Sequence, residues 1–291
     1  MEATDIGRPY VRGSFVTVTT YRPMDEFSAP TIRRATLTPV TGYLDGEAPR
    51  AYAHRGWHVD DLAGLENSMR AFRRAFDEGY RYLETDVHAT ADGVLVAFHD
   101  LRLDRVTDRH GMIANLPWSD VQRARIAGTE PIPLMSDVLE ELPQAKFNID
   151  AKAAGAVGPL VDLIKKTGAA DRVCLGSFSD RRLQALRDGL GPAVATSLGP
   201  REVFRLVRAS RLRREFVTPA VAVQVPTSFR RVQIVTPRFL EKAHQAGLEV
   251  HVWTIDEPAE MRRLLDLGAD GIMTDRPELL RDVLIERGAW S

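Results

Sequence analysis

The sequence predicts a closed (β/α)8 TIM barrel. Three observations point there. From Ala51 onward, short strand-like runs alternate with amphipathic helix-like runs, which implies a parallel sheet with helical crossovers. Eight strand-like runs are present, the number that closes such a barrel. A chain of 291 residues, 44% of them hydrophobic, is long enough for one barrel of about 250 residues. The rival is an open doubly wound sheet, but no glycine-rich dinucleotide fingerprint follows the first strand.

Residues 1–48 differ from the rest. They are rich in Thr and Pro, "SFVTVTT" alternates like a short strand, and "TGYLDGEAPR" reads as a linker. Residues 1–48 are therefore expected to be an N-terminal arm and 49–291 the barrel domain. The expected strands are "AYAH", "RYLETDV", "GVLVAFH", "KFNIDAK", "RVCLGSF", "AVATSL", "LEVHVWTI" and "DGIMTD". Between them lie "SMRAFRRAFDEG", "AVGPLVDLIKKTG", "SDRRLQALRDGLG", "TPRFLEKAHQAG" and "PAEMRRLLDLGAD", several stopping at Gly as helices commonly do. Two pieces break the pattern. A long connection runs from His99 to Lys146, and an extra apolar stretch, "AVAVQVP", follows an Arg-rich helix.

Bulk composition excludes some functions. With 39 Lys and Arg against 40 Asp and Glu, the chain lacks the basic excess of a nucleic-acid binder. The single Cys174 sits in an apolar run and reads as a small buried hydrophobe. No stretch of about 18 apolar residues is present to span a bilayer, and no signal peptide is recognised, so the cytoplasm is the expected location.

Polar residues gather where a barrel does chemistry, at the carboxyl ends of strands. His54 and Arg55 end the first strand, Glu84 and Asp86 the second, His99 and Asp100 the third, and Asp150 and Lys152 the fourth; Trp253 lies near the end of the seventh. Strand residues two apart share a face, and neighbouring strands lie about 4.8 Å apart. Glu84, Asp86 and Asp150 should therefore converge. Oxygen ligands without Cys suit Mg²⁺ or Ca²⁺; salt bridges to nearby Arg or Lys are the alternative. His54 and His99 flank the acids as a candidate proton acceptor and donor, and Arg55 and Lys152 add positive charge suited to a phosphate. His58, His88, His110 and His244 read as loop or surface residues, and His251 shares a face with Trp253.

The ordered set "HRG", "ENS" (Glu66–Ser68), "E-T-D" (Glu84–Asp86), "HD" (His99, Asp100), "D-A-K" (Asp150–Lys152) and "VWTID", with "LDRVTD", "GSFS" and "GADGIMTDRP", resembles the glycerophosphodiester phosphodiesterases from about Ala51 to Ile285. The resemblance implies a phosphatidylinositol-phosphodiesterase-like TIM barrel with one divalent metal ion. It implies His54 and His99 as acid and base, Glu84, Asp86 and Asp150 as metal ligands, Arg55 and Lys152 as phosphate contacts, Trp253 beside the glycerol, and Glu66 and Asn67 in support. It further implies hydrolysis through a cyclic phosphate, as proposed for phosphatidylinositol-specific phospholipase C. The family commonly has Glu where this chain has Asp150, one methylene shorter.

Ser68 is placed to cap the first helix. The expected partner is a small glycerophosphodiester; a homo-oligomer is allowed, and neither nucleic acid nor stable membrane insertion is expected. Two rivals remain: a lysophospholipase D-type enzyme, for which "REVFRLVRASRLRREF" is the one candidate membrane-facing run, and a non-catalytic binding barrel, since fold alone proves no activity.

Overall fold

The computed structural model describes residues 42–212 and 214–290; the expected arm strand "SFVTVTT" lies outside them. Among the described residues, eight parallel strands form the barrel: β1 (Arg50–His54), β2 (Tyr82–Ala89), β3 (Lys146–Ala151), β4 (Val173–Gly176), β5 (Ala195–Thr196), β6 (Ala222–Val225), β7 (Glu249–Val252) and β8 (Gly271–Thr274). They are ordered β5-β4-β3-β2-β1-β8-β7-β6. A parallel bridge from Ser197 to Ala222, with the Leu198 amide donating to the Ala222 carbonyl at 3.0 Å, closes the ring between β5 and β6. Helices α1 (Met69–Asp77), α2 (Met135–Glu141), α3 (Val157–Thr167), α4 (Asp180–Leu190), α5 (Pro200–Leu212), α6 (Pro237–Gln245), α7 (Pro258–Leu267) and α8 (Pro277–Glu286) make the outer ring.

The predicted fold class holds, with one exchange of strands. "GVLVAFH" is not a barrel strand. Its core, Leu95–Ala97, runs antiparallel to the end of β2, pairing Val87 with Ala97. A parallel neighbour needs a crossover of about a dozen residues or more, and only Thr90–Val94 intervene here, so a hairpin is the available connection. The missing strand is β6, formed by the apolar "AVAVQV" that seemed surplus.

Local sequence explains the helices. Ser68 Oγ accepts from the Ala71 amide at 3.1 Å and caps α1, as expected. The apolar stripe Ala71, Phe72 and Ala75 then faces the sheet. Helices α6, α7 and α8 begin with Pro in the first turn, where no amide is needed. The main core lies between strands and helices and includes Phe72, Phe147, Leu160, Phe239 and Leu264. The long connection after β2 builds a second small core, Phe98, Leu103, Ile113 and Ile126, onto Leu62 of the β1–α1 loop. No helix among the described residues is long and apolar enough to cross a membrane.

Inside the barrel, the amino-terminal end is closed by hydrogen bonds. Arg50 grips Glu249 with two nitrogens (2.7 and 2.8 Å), donates to Tyr82 Oη (2.7 Å) and reaches the Leu44 carbonyl (2.6 Å). Tyr43, from the segment expected as a linker, is fully buried as a plug, edge-on to Tyr82 with ring centroids 5.5 Å apart. His251 belongs to this plug rather than to the mouth, held between Tyr52 Oη (3.2 Å) and Glu249 (3.0 Å). Cys174 is buried, as expected.

Burial alone would raise the Glu249 carboxyl, but hydrogen bonds from His251 and Arg50 outweigh it and hold the group at about 2. A depressed acid stabilises the fold above its unfolded pKa, and that stability is lost as pH falls through the folded one. Glu249→Gln should therefore cost about 3 kcal/mol at neutral pH by leaving Arg50 buried and unpaired. In denaturant unfolding, the gap to wild type should shrink from about pH 4 downward and close near pH 2; a gap that is constant with pH contradicts the pairing.

Candidate active site

Strand register assembles the site at the carboxyl ends of β1, β2 and β3. His54 of β1 pairs in register with Glu84 of β2, and Asp86 of β2 with Asp150 of β3. After His54 the chain turns sharply through Arg55 (φ 58°) and Gly56 (φ 84°). The glycine is required there twice over: its φ disfavours side chains, and a Cβ would stand 2.8 Å from the Ala71 carbonyl carbon of α1. The turn sends the Arg55 amide to the Glu84 carbonyl at 3.0 Å and the guanidinium back over the acids.

Arg55 Nε lies 3.3 Å from Asp86 Oδ2, and its terminal nitrogen 3.0 Å from Glu66 Oε1. Asn67, left-handed at φ 57°, receives the Thr85 hydroxyl on Oδ1 (2.7 Å) and donates to Asp86 Oδ2 (3.4 Å). Glu66 also binds Arg105, which bonds Asp100 at 2.6 Å. Glu66 and Asn67 thus tie the β1–α1 loop to the acids and to the loop carrying His99.

Glu84, Asp86 and Asp150 are all buried, with the Asp86 side chain only 2% exposed. Lys152 Nζ bridges Asp86 Oδ1 (2.7 Å) and Asp150 Oδ2 (2.8 Å), so Lys152 and Arg55, expected on a phosphate, are ion-paired to carboxylates. Among the described residues no three His, Cys, Asp or Glu side chains close on one ion position in this arrangement. The acids are nonetheless under-compensated. Burial, then repulsion from Asp86, pushes Glu84 up to about 7. Burial also raises Asp150, whose Oδ1 is buried without a hydrogen-bond partner.

Both expected histidines are held by a carboxylate through Nδ1: His54 by Asp275 and His99 by Asp100, each at 2.6 Å. His54 Nε2 then faces Glu84 Oε2 at 3.6 Å. Burial lowers the His54 pKa, but Glu84 and Asp275 outweigh it and raise it above the ordinary value. His99 does not end a barrel strand. It follows the hairpin strand, whose Phe98 amide donates to the Asp86 carbonyl at 2.8 Å and so brings His99 to the mouth.

A family model described as "Glycerophosphoryl diester phosphodiesterase family" matches residues 54–279. A Mycobacterium tuberculosis protein called probable glycerophosphodiester phosphodiesterase 2 is 41% identical over 257 residues, 87% of this chain and 97% of its own. This chain belongs to the glycerophosphoryl diester phosphodiesterase family. It is a phosphoric diester hydrolase. A lysophospholipase D of Rattus norvegicus is 26% identical over 280 residues, covering 81% of this chain and 86% of that one. The fold matches an Oleispira antarctica phosphodiesterase solved in complex with the product sn-glycerol-3-phosphate, with TM-score 0.68, 22% identity, and coverage of 82% of this chain and 97% of that one.

Several residues of this phosphodiesterase were missed in the sequence. Asp275 holds both His54 and His58 (3.2 Å to the latter), and Asp256 receives the Asp275 amide at 2.8 Å. Its signal was available, since Asp275 ends the eighth strand as the other site residues end theirs. His58 and His88, expected as loop or surface residues, both border the site: His58 lies in the β1–α1 loop, whereas His88 is buried in β2 and bonds the His99 carbonyl at 3.0 Å. Trp253 is half-buried and meets Phe178 edge-on, centroids 5.7 Å apart, with Lys152 Nζ 5.5 Å from the Phe178 ring centre. Phe178 lies in the quoted "GSFS" but was not singled out.

Replacing Asp275 by Asn removes one of the two carboxylates that raise His54. Histidine NMR titration should show the His54 pKa falling in Asp275→Asn. A pKa that stays or rises contradicts the assigned contact.

Proposed function

We propose that this phosphodiesterase hydrolyses a glycerophosphodiester to sn-glycerol 3-phosphate and an alcohol, with His54 and His99 as acid and base and one divalent ion, Mg²⁺ or Ca²⁺, held by Glu84, Asp86 and Asp150. The observation that carries it is the matched pinning of the two imidazoles. Each is bonded through Nδ1 to a carboxylate at 2.6 Å, which fixes its tautomer and leaves Nε2 for proton transfer.

The three acids fit such an ion. They are oxygen donors without Cys, as Mg²⁺ and Ca²⁺ require, and Asp150 Oδ1 is a buried acceptor with no hydrogen-bond partner. A bound ion would supply the charge that polarises the phosphate. Asp150, one methylene shorter than Glu, reaches less far from β3, a geometry suited to the larger Ca²⁺ or to a water between.

One imidazole takes the proton of the substrate's 2-hydroxyl as its oxygen attacks phosphorus. The other gives a proton to the departing alcohol oxygen as the phosphorus–oxygen bond breaks. The cyclic phosphodiester so formed is opened by water with the two proton roles reversed. Lys152 and Arg55, both at the mouth beside the acids, neutralise phosphate oxygens, and Trp253 with Phe178 forms the apolar wall for the glycerol. Glu66 and Asn67 hold Arg55 and Asp86 in place.

His54→Ala and His99→Ala should each lower kcat by about 10²–10⁴-fold without loss of circular-dichroism signal. A panel of glycerophosphocholine, glycerophosphoethanolamine and glycerophosphoglycerol, run with EDTA and with each metal restored, tests the ion. Hydrolysis should stop with EDTA and return with Mg²⁺ or Ca²⁺. Near-normal turnover in both variants, or in EDTA, ends the assignment.

A further inference from the structure

The loop after β6 forms a two-stranded hairpin that the site does not use. Ser228–Phe229 runs antiparallel to Val232–Gln233, with Phe229 directly opposite Val232. Residues paired in this way project from one face of the ribbon. That face is apolar and turned to solvent, Phe229 being 62% and Val232 42% exposed. Arg230 and Arg231 make the tip, both exposed, and the Arg230 guanidinium lies 5.6 Å from the Phe229 ring centre. The base is clamped by the Ile234 and Val235 amides, which both donate to the Thr227 carbonyl (3.0 and 3.2 Å). The hairpin is thus a formed element that presents two apolar side chains and two cations outward.

Its position matters. It leaves the barrel at the same end as His54, Glu84 and Asp150. Two other loops at that end also expose apolar side chains, Phe178 and Leu101. The charge beside it is unbalanced: Arg211 and Arg238 line the groove next to Gln233, and among the described residues neither they nor Arg230 or Arg231 form an ion pair. Elsewhere on the surface, Arg262, Arg263, Arg276 and Arg287 are paired with acids, while among the described residues Arg109 and Arg181 are not. The Arg-rich run named as the membrane-facing candidate forms α5 of the outer ring, seated on the barrel by Leu206 and Ala209.

We propose that the hairpin docks the barrel mouth on an anionic lipid bilayer, with Phe229 and Val232 entering the boundary between headgroups and acyl chains and Arg230 and Arg231 meeting lipid phosphates. Apolar side chains flanked by arginine suit that boundary, where one end is dry and the other charged. The chain's own first 41 residues are a poorer cover, since five Arg against four Asp and Glu make no acidic complement. This inference is independent of the two-histidine mechanism.

The full chain is sedimented with vesicles of phosphatidylcholine alone and with vesicles also containing phosphatidylglycerol. Wild type should pellet with the anionic vesicles only, and added salt should release it. The double variant R230S/R231S and the variant F229S should each bind about tenfold or more weakly, while kcat/KM on soluble glycerophosphocholine stays at the wild-type value. Absence of wild-type binding to anionic vesicles, or equal binding by the variants, overturns the proposal. Because the soluble substrate is assayed in parallel, a failure of docking is distinguishable from a failure of the proposed reaction.

Discussion

Three buried carboxylates at the ends of two neighbouring strands are the constraint around which the mouth of this barrel is organised. Like charges about 5 Å apart repel by about 3 kcal/mol at an effective dielectric of about 20. A protein that buries Glu84, Asp86 and Asp150 together must bring compensation from elsewhere. Lys152 comes from two residues beyond Asp150, Arg55 from a left-handed turn, and the Asn67 amide from a second left-handed residue. Glu66 and Arg105 extend the network to Asp100 and so to His99. The conformations of the β1–α1 loop follow from these partners rather than from helix or strand propensity.

The opposite end of the barrel shows what full compensation looks like. Arg50, Glu249, His251, Tyr52, Tyr82 and Tyr43 form a closed set of contacts. Glu249 there is held at about 2, whereas Glu84 at the mouth is pushed up to about 7. One end is arranged for stability. The other leaves Glu84 raised and Asp150 Oδ1 without a hydrogen-bond partner, in keeping with the division of labour between the two faces of this fold.

Most of this was legible in the sequence because strand ends carry their own signal. A polar residue closing an apolar run marks the mouth, and that rule located His54, Glu84, Asp86, Asp150 and Lys152. It failed where chain geometry overrides pattern. "GVLVAFH" has the hydrophobicity of a barrel strand, but its five-residue connection to β2 permits only a hairpin, and counting that connection would have revealed it. His88 was misjudged because β2 runs past the expected end at Val87 to Ala89 and buries it under the hairpin strand, and the inward fold of the His58 loop carries no local signal. Asp275 closes the run "DGIMTD" and so carried the same strand-end signal, but its partner His54 lies 221 positions away, and that pairing no local pattern encodes.

The central claim is that the three acids hold one divalent cation. Binding of Mn²⁺, followed by electron paramagnetic resonance on the purified chain, tests it without reference to activity. The account predicts one site per chain, abolished in Asp86→Asn and weakened in Asp150→Asn. A wild-type protein that hydrolyses its substrate while binding no Mn²⁺, Mg²⁺ or Ca²⁺ would contradict it.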